Sequence, residues 1–162
     1  MIVQTPFFTD DELRQFHLTD AARKIALDTP ARWVARGGLG LVPRLALVWS
    51  ILRWEKTVAT ALLEDLGVDT LRLTTNVDAQ LTKLASNVGC AHVDCSAIRR
   101  SIDVARELAA EMTLDYVGTE HMLLAVSEDD TACRSLFDSV DVSTDELRKT
   151  IKRFCLHHGN RA

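Results

Sequence analysis

Apolar side chains recur every three or four residues through most of the chain, the spacing that gathers them on one face of an α-helix. The clearest stripes are Ile98 with Ile102 and, near the end, Leu147, Ile151 and Phe154. No stretch alternates apolar and polar residues in the way that a half-buried strand does. The pattern therefore predicts an all-α fold.

Local signals indicate where several helices begin and end. Thr9 and Glu12 have the spacing of a capping box, in which two side chains bond to the free N–H groups of a helix start. Thr29 and Pro30 predict a break or restart within the second helical segment, with Thr29 as its N-cap. Gly67 predicts a helix end, because glycine adopts the left-handed conformation that follows many helices.

The two halves of the chain resemble each other. "LLEDLGVDTLRL" matches "LFDSVDVSTDEL" at an offset of about 74 residues, and "DAARKIAL" matches "SAIRRSID" at a slightly larger offset. Each half reads as a long, a short very apolar, a medium and a final amphipathic helix. We therefore predict two four-helix repeats, about 18–84 and about 95–156, joined by a connector at 85–94. A pseudo-two-fold would pack them on one core as a single domain over 1–162.

Size and charge narrow the classes of protein to which this chain can belong. The 162 residues suit one domain, and the net charge of −4 implies no basic face, so a nucleic-acid partner is not expected. The start lacks a signal peptide, and the most apolar segment, residues 39–54, is interrupted by Pro43, Arg44 and Arg53. It falls short of the roughly 20 residues needed to span a bilayer. These features predict a cytoplasmic protein without a membrane partner.

"DYVGTEHMLLAV" contains adjacent ionisable residues, Glu120 and His121, at the start of an apolar run. Neighbours on a helix point about 100° apart and rarely act on one atom, and no catalytic constellation is visible elsewhere. We expect Thr119 to cap the helix, Glu120 to favour its positive end and His121 to be partly buried. The sequence therefore predicts no enzyme and no cofactor.

"CAHVDC" places Cys90, His92, Asp94 and Cys95 close together. The spacing is not that of a zinc site and no second ligand pair follows, so no metal is predicted and these are interpreted as loop residues. A small-ligand or metal sensor that uses this cluster is the alternative function. The four cysteines, in a chain without an export signal, are predicted to be free thiols, two of them in or beside helix stripes: Cys90, Cys95, Cys133 and Cys155.

Two groups of basic residues have two interpretations each. Arg99, Arg100 and Arg106 form a strip that either binds an anion or is a solvated face. Three tryptophans lie among arginines in the first half, and they either pack in the core or form an exposed surface for a partner. These residues are Trp33, Trp49 and Trp54, with Arg32, Arg36, Arg44 and Arg53.

The second half, "AIRRSIDVARELAAEMTLDYVGTEHMLLAV", resembles the Clp amino-terminal domain, the double repeat at the head of Clp-type AAA+ unfoldases. The first half is similar through "LTDAARKIAL" and "TALLEDLGVD", so the resemblance covers about residues 18–154. It implies a module that binds proteins. The implied partner is a Clp unfoldase, an adaptor or a substrate; the oligomeric state stays open.

The resemblance also implies a phosphoarginine-type pocket in each repeat. The acidic residue of the Gly-Thr-Glu-His turn would hold the guanidinium, and the phosphate would lie at the start of the repeat's first helix. In repeat two this assigns Glu120 and Thr119. The threonine that opens the family's repeat is replaced there by Cys95 and Ser96, with Arg99 and Arg100 in the next turn.

Repeat one departs from the pattern. Thr19 is present, but the turn reads Pro43-Arg44-Leu45-Ala46, which offers no carboxylate. The resemblance therefore implies that the first pocket is lost, and that Thr19 matters little to a ligand at Glu120. The chain also lacks a G-x-x-x-x-G-K-[ST] phosphate loop, so we expect a free-standing recruitment domain without an ATPase.

Overall fold

The computed structural model describes residues 8–85 and 93–158, and within these ranges the chain forms nine helices and two very short strands. The all-α prediction is confirmed. The helices are α1 (Asp10–Gln15), α2 (Asp20–Ala35), α3 (Arg44–Arg53), α4 (Val58–Asp65), α5 (Thr70–Ala85), α6 (Ser96–Glu111), α7 (Thr119–Asp129), α8 (Thr131–Ser139) and α9 (Thr144–His158). The strands are β1 (Gly40–Leu41) and β2 (Val93–Asp94).

Helices α2–α5 and α6–α9 are two copies of one four-helix unit. Both first helices have 16 residues. The turn after the third helix is also repeated: Gly67 and Asp141 both have positive φ, 80° and 61°. The next residue in each copy, Val68 or Val142, donates its N–H back to the third helix at 3.0 Å. The predicted repeat is thus present. Most of the predicted connector lies outside the described residues, so the exact repeat boundaries stay a prediction.

The repeats are joined by an exchange of backbone hydrogen bonds. The residues before α2 pair with those before α7: Thr19 N–H donates to Val117 O, and Val117 N–H donates to His17 O, both at 2.9 Å. On the other side, β1 before α3 pairs in parallel with β2 before α6. Each repeat's first helix therefore begins beside the second helix of the other repeat. This exchange holds both copies on a common core.

The second helix of each repeat lies in the centre of the fold. Every residue of α7 from Thr119 to Ser127 is buried, and α7 contacts α2, α3, α4, α6, α8 and α9. In α3 the residues from Leu45 to Val48 are buried as well. Both helices are thus surrounded by other elements of the fold on most sides, which is the environment that suits a helix with few polar residues.

Helix α2 continues through Pro30, so the predicted break is wrong. Proline removes one N–H from the helix ladder, but the buried Thr29 hydroxyl donates to Ile25 O at 2.8 Å, which adds a bond one residue before the gap. Thr29, Pro30 and Trp33 are all buried against the core. Tertiary packing of this face holds the helix together across the proline.

Candidate functional site

The Gly-Thr-Glu-His turn forms the start of α7, with Gly118 as the N-cap. Thr119 is the first helical residue and not the cap that the sequence indicated. Its hydroxyl instead accepts the N–H of Ala59 at 3.2 Å, at the start of α4 in the other repeat. Free N–H groups at a helix start need an acceptor, and one N–H group of α4 finds its acceptor in repeat two. Thr119 therefore couples the two repeats.

His121 caps its own helix from inside the core. Its Nδ1 accepts the N–H of Gly118 at 3.0 Å, so the proton of the neutral ring is on Nε2. Nε2 faces the Cys155 sulfur at 3.7 Å, and the Tyr116 ring meets the imidazole edge-on at 5.9 Å between centroids. The side chain is fully buried, more than the partial burial expected from sequence. His121 thus acts as an internal cap and core residue.

Glu120 is also fully buried, and its carboxylate folds back over Gly118. A Cβ placed on residue 118 would lie 1.5 Å from Glu120 Oε1, which explains why glycine precedes Thr119. The same oxygen lies 3.8 Å from His121 Nδ1. A ligand therefore reaches this carboxylate only if the side chain swings out of the space above Gly118.

The structure groups the predicted pocket residues differently from the sequence analysis. Thr19 caps α2, accepting the N–H of Ala22 at 3.3 Å, and its own N–H binds Val117 O beside the Glu120 turn. Cys95 instead follows β2, which pairs with β1 beside the turn of repeat one. The sequence led us to expect that Thr19 matters little to a ligand at Glu120; the structure places Thr19 beside the Glu120 turn, because each repeat's first helix begins beside the other repeat's turn.

The start of α6 carries the other predicted ligand residues. Cys95 is the N-cap but makes no capping hydrogen bond; the exposed Ser96 donates its N–H to Asp94 Oδ1 at 2.8 Å. Arg99 pairs with the Glu12 carboxylate. A carboxylate already occupies the position at which an anion would meet this helix start.

Arg100 belongs to a separate cluster with Arg44, where both guanidinium groups bind Asp129 Oδ2, at 3.4 and 3.3 Å. Arg44 also donates from Nε to Ser101 Oγ at 3.1 Å. In the turn of repeat one, Leu45 takes the place of Glu120 and is buried. That turn is closed by an ion-pair cluster on its surface and by apolar packing below it.

The described cysteines are thiols outside any disulfide, as predicted, and all three are buried: Cys95, Cys133 and Cys155. Burial and the Asp94 carboxylate raise the pKa of Cys95 to about 11. Burial, with Asp130, also raises the pKa of Cys133. Such thiols hold little thiolate at neutral pH and are poor nucleophiles.

Cys90 and His92 of the "CAHVDC" cluster lie outside the described residues. Among residues 8–85 and 93–158, no group of three or more metal-ligating side chains is present. Over the same ranges no helix is both long and apolar enough to cross a membrane. The alternative of a metal or small-ligand sensor stays a prediction.

A family model for the Clp repeat N-terminal domain matches residues 44–140 and 96–159. The chain belongs to this family. The chaperone protein ClpB of Rhodopirellula baltica is 26% identical over 132 residues, which cover 80% of this chain and 15% of that protein. The chain thus spans about a seventh of the curated relative that it matches.

Three solved structures share the fold. One, from structural investigations of a malarial protein secretion system, has a TM-score of 0.70 at 15% identity. The match covers 85% of this chain and 93% of the matched chain. The Hsp104 N-terminal domain from Candida albicans scores 0.66 at 15% identity, covering 82% and 87%. The N-terminal domain of the ClpV1 ATPase from E. coli scores 0.65 at 12% identity, covering 87% and 90%. In Clp and ClpV ATPases, such domains are modules for protein interaction.

Proposed function

We propose that this chain is a non-enzymatic module that recognises adaptor proteins or substrates of a Clp-type ATPase, in the cytoplasm. The observation that carries the proposal is the family match over residues 44–159, which include three helices of repeat one and the whole of repeat two. The ionisable residues of the Gly-Thr-Glu-His turn support it too: His121 and Glu120 are buried and His121 is used to build the turn, which leaves no open acid–base pair. The surface, and not a catalytic cleft, is then the functional part.

The test is identification of the partner in the source cell. An affinity-tagged chain, cross-linked in living cells and purified under denaturing conditions, is expected to recover a Clp ATPase, an adaptor or their substrates. The control is a helical protein of similar size that carries the same tag and has no Clp repeat. Recovery of no Clp component above that control would contradict the proposal.

A second candidate is a phosphoarginine-type pocket shared by the two repeats. One observation favours it: the helix start capped by Thr19 lies beside the turn that contains Glu120. The three residues that we assign to this pocket are Thr19, Thr119 and Glu120. Cys95, Ser96, Arg99 and Arg100 lie at the opposite helix start, where carboxylates already bind the cations.

Titration calorimetry with free phosphoarginine tests this pocket. The wild type is expected to bind, and Glu120→Ala and Thr19→Ala are each expected to lose binding, because the first removes the guanidinium acceptor and the second the helix cap at the phosphate. Arg100→Ala is the matched control at the other helix start and is expected to bind like the wild type. Absence of heat with the wild type would eliminate the pocket and leave the protein-interaction proposal intact.

A further inference from the structure

Three arginine side chains surround the indole ring of Trp49 on the surface of repeat one. The guanidinium carbons of Arg36, Arg32 and Arg53 lie 4.8, 5.4 and 5.9 Å from the ring centre, within the range of cation–π contacts. Arg32 also lies 6.0 Å from the Trp54 ring. We call these five residues the Trp49 surface.

The third tryptophan, Trp33, does not belong to this surface. The sequence left open whether the tryptophans pack in the core or form a surface for a partner, and the structure divides them between the two. Trp33 is buried in the core, and its Nε1–H donates to Leu39 O at 3.3 Å. Trp49 and Trp54 are only half-buried. One tryptophan therefore packs in the core, while two contribute to an aromatic and basic surface.

The Trp49 surface carries more positive charge than its own acidic neighbours balance. Arg36 pairs with Asp78 at 2.6 Å, and Arg32 pairs more loosely with Asp28 at 3.7 Å. Arg53 is exposed and forms no ion pair with any residue that the structure describes. A guanidinium has five N–H donors, so Arg53 and Arg32 keep donors available for an incoming carboxylate.

The shared fold does not require this arrangement. Trp49 is the sixth residue of α3, and the sixth residue of α7 is Leu124, which is fully buried. Arg53 corresponds in the same way to Glu128, whose carboxylate accepts a hydrogen bond from Arg148 Nε at 2.8 Å. At the corresponding positions repeat two thus has a buried leucine and a carboxylate that is paired within the domain. Repeat one exposes tryptophan and arginine, the residue types that dominate binding energy at protein interfaces.

We propose that the Trp49 surface binds an acidic peptide segment of a partner protein. Carboxylates of the segment pair with Arg53 and Arg32, and an apolar side chain packs on the exposed part of Trp49. The inference rests on the proposed protein-interaction function and names its contact surface. A nucleic acid fits less well, because two of the three arginines are already paired with Asp28 and Asp78, which leaves too little positive charge for a continuous phosphate backbone.

Fluorescence anisotropy with three labelled probes tests the proposal on the full chain. The first is a 12-residue peptide of glutamate and aspartate with one phenylalanine and one leucine, and the second has lysine at every acidic position. The third is a single-stranded oligonucleotide. We expect the acidic peptide alone to bind, with an affinity that falls as salt rises.

Two variants locate the binding. Arg53→Glu and Trp49→Leu are each expected to weaken binding of the acidic peptide at least tenfold; Leu is the residue that repeat two has at this position. Lys149→Glu, an equal charge change at an exposed position of α9, is the matched control and is expected to bind like the wild type. Circular dichroism before each titration shows that the variants are folded.

Several results would overturn the proposal. These are failure of the wild type to bind the acidic peptide, equal weakening by Arg53→Glu and Lys149→Glu, and tighter binding of the oligonucleotide. The proposed function is tested separately by cross-linking in cells. If the wild type and Arg53→Glu recover the same Clp component there in equal yield, the module stands and the Trp49 surface is not its contact.

Discussion

The two turns that begin the central helices take the same place in their repeats and are built in opposite ways. In repeat two, Gly118 leaves space for a buried carboxylate, and an imidazole accepts the N–H of that glycine. In repeat one, Pro43 needs no such acceptor because it has no N–H, and Arg44 reaches across the surface to Asp129. One turn is held by buried polar contacts, the other by apolar packing and an ion pair.

The Gly-Thr-Glu-His turn therefore contributes to the architecture of the domain, independently of any ligand. All four of its residues have an internal partner or fill a defined space in the folded protein. Buried polar groups are costly when one partner is removed, whereas partly exposed ion pairs contribute little. We therefore expect substitutions in the turn of repeat two to destabilise the fold more than substitutions in the turn of repeat one.

The largest effect is expected for His121→Ala. The change leaves a cavity beside Tyr116 and Cys155 and removes the acceptor of the buried Gly118 N–H, which together should lower the free energy of unfolding by about 3 kcal/mol. Urea unfolding followed by circular dichroism measures it. Repeat one already has Ala46 at this position. A loss below about 1 kcal/mol would show that the internal cap contributes little.

Gly118→Ala should cost somewhat less, about 2 kcal/mol, because the new methyl group must displace the Glu120 carboxylate. In a Glu120→Ala background the space is free, and the same change should cost less than about 1 kcal/mol. Pro43→Ala is the matched control in repeat one, and we expect it to stay within about 1 kcal/mol of the wild type. Equal costs in both backgrounds would contradict the steric explanation.

Thr119→Val keeps the shape of the side chain but removes the acceptor for Ala59 N–H. We expect a loss of about 1 kcal/mol, the usual cost of a helix cap. The counterpart in repeat one, Arg44→Met, breaks partly exposed contacts with Asp129 and Ser101 and should cost about 0.5 kcal/mol. A larger loss for Arg44→Met, in the same urea titration, would reverse the comparison of the two turns.

The smallest effect on stability is expected at Cys95, the N-cap of α6, which takes the position that Thr19 has before α2. The pKa of Cys95 is raised to about 11, so its contribution to stability is present below about pH 9 and is lost as the pH rises towards 11. We expect iodoacetamide to label native Cys95 slowly at pH 7.5 and faster at pH 10, with mass spectrometry as the readout. Cys95→Ser should remove the pH dependence at this site. Rapid labelling at pH 7.5 would mean that the helix start opens readily.

Much of the fold follows from local patterns. The stripes of apolar residues predict most of the helices, Gly67 marks the end of α4 as expected, and the offset between "LLEDLGVD" and "LFDSVDVS" reveals the repeat. Local signals failed where packing outweighs propensity. Thr29 and Pro30 look like a helix break, yet the buried face of α2 continues through them.

The candidate sites were only partly predictable. Glu120 and Thr119 are recognisable from their motif, but their partners in the other repeat are not, because hydrogen bonds between residues far apart in sequence leave no spacing to detect. The Trp49 surface is visible in the sequence only as tryptophan near arginine. That this surface excludes the buried Trp33 is a result of tertiary packing, which residue spacing does not show.

Residue patterns alone were enough to predict the helical class, the internal repeat, the family and the loss of the acidic turn residue at Leu45. Each of these depends on residue type at a fixed spacing, which the chain carries from one residue to the next. Three features are visible only in the folded chain: Thr19 lies beside the Glu120 turn, the Glu120 carboxylate is closed over Gly118, and two tryptophans are partly exposed. The positions of these side chains depend on how the two repeats exchange backbone hydrogen bonds. That exchange forms only when the apolar faces of both repeats are buried together in one core.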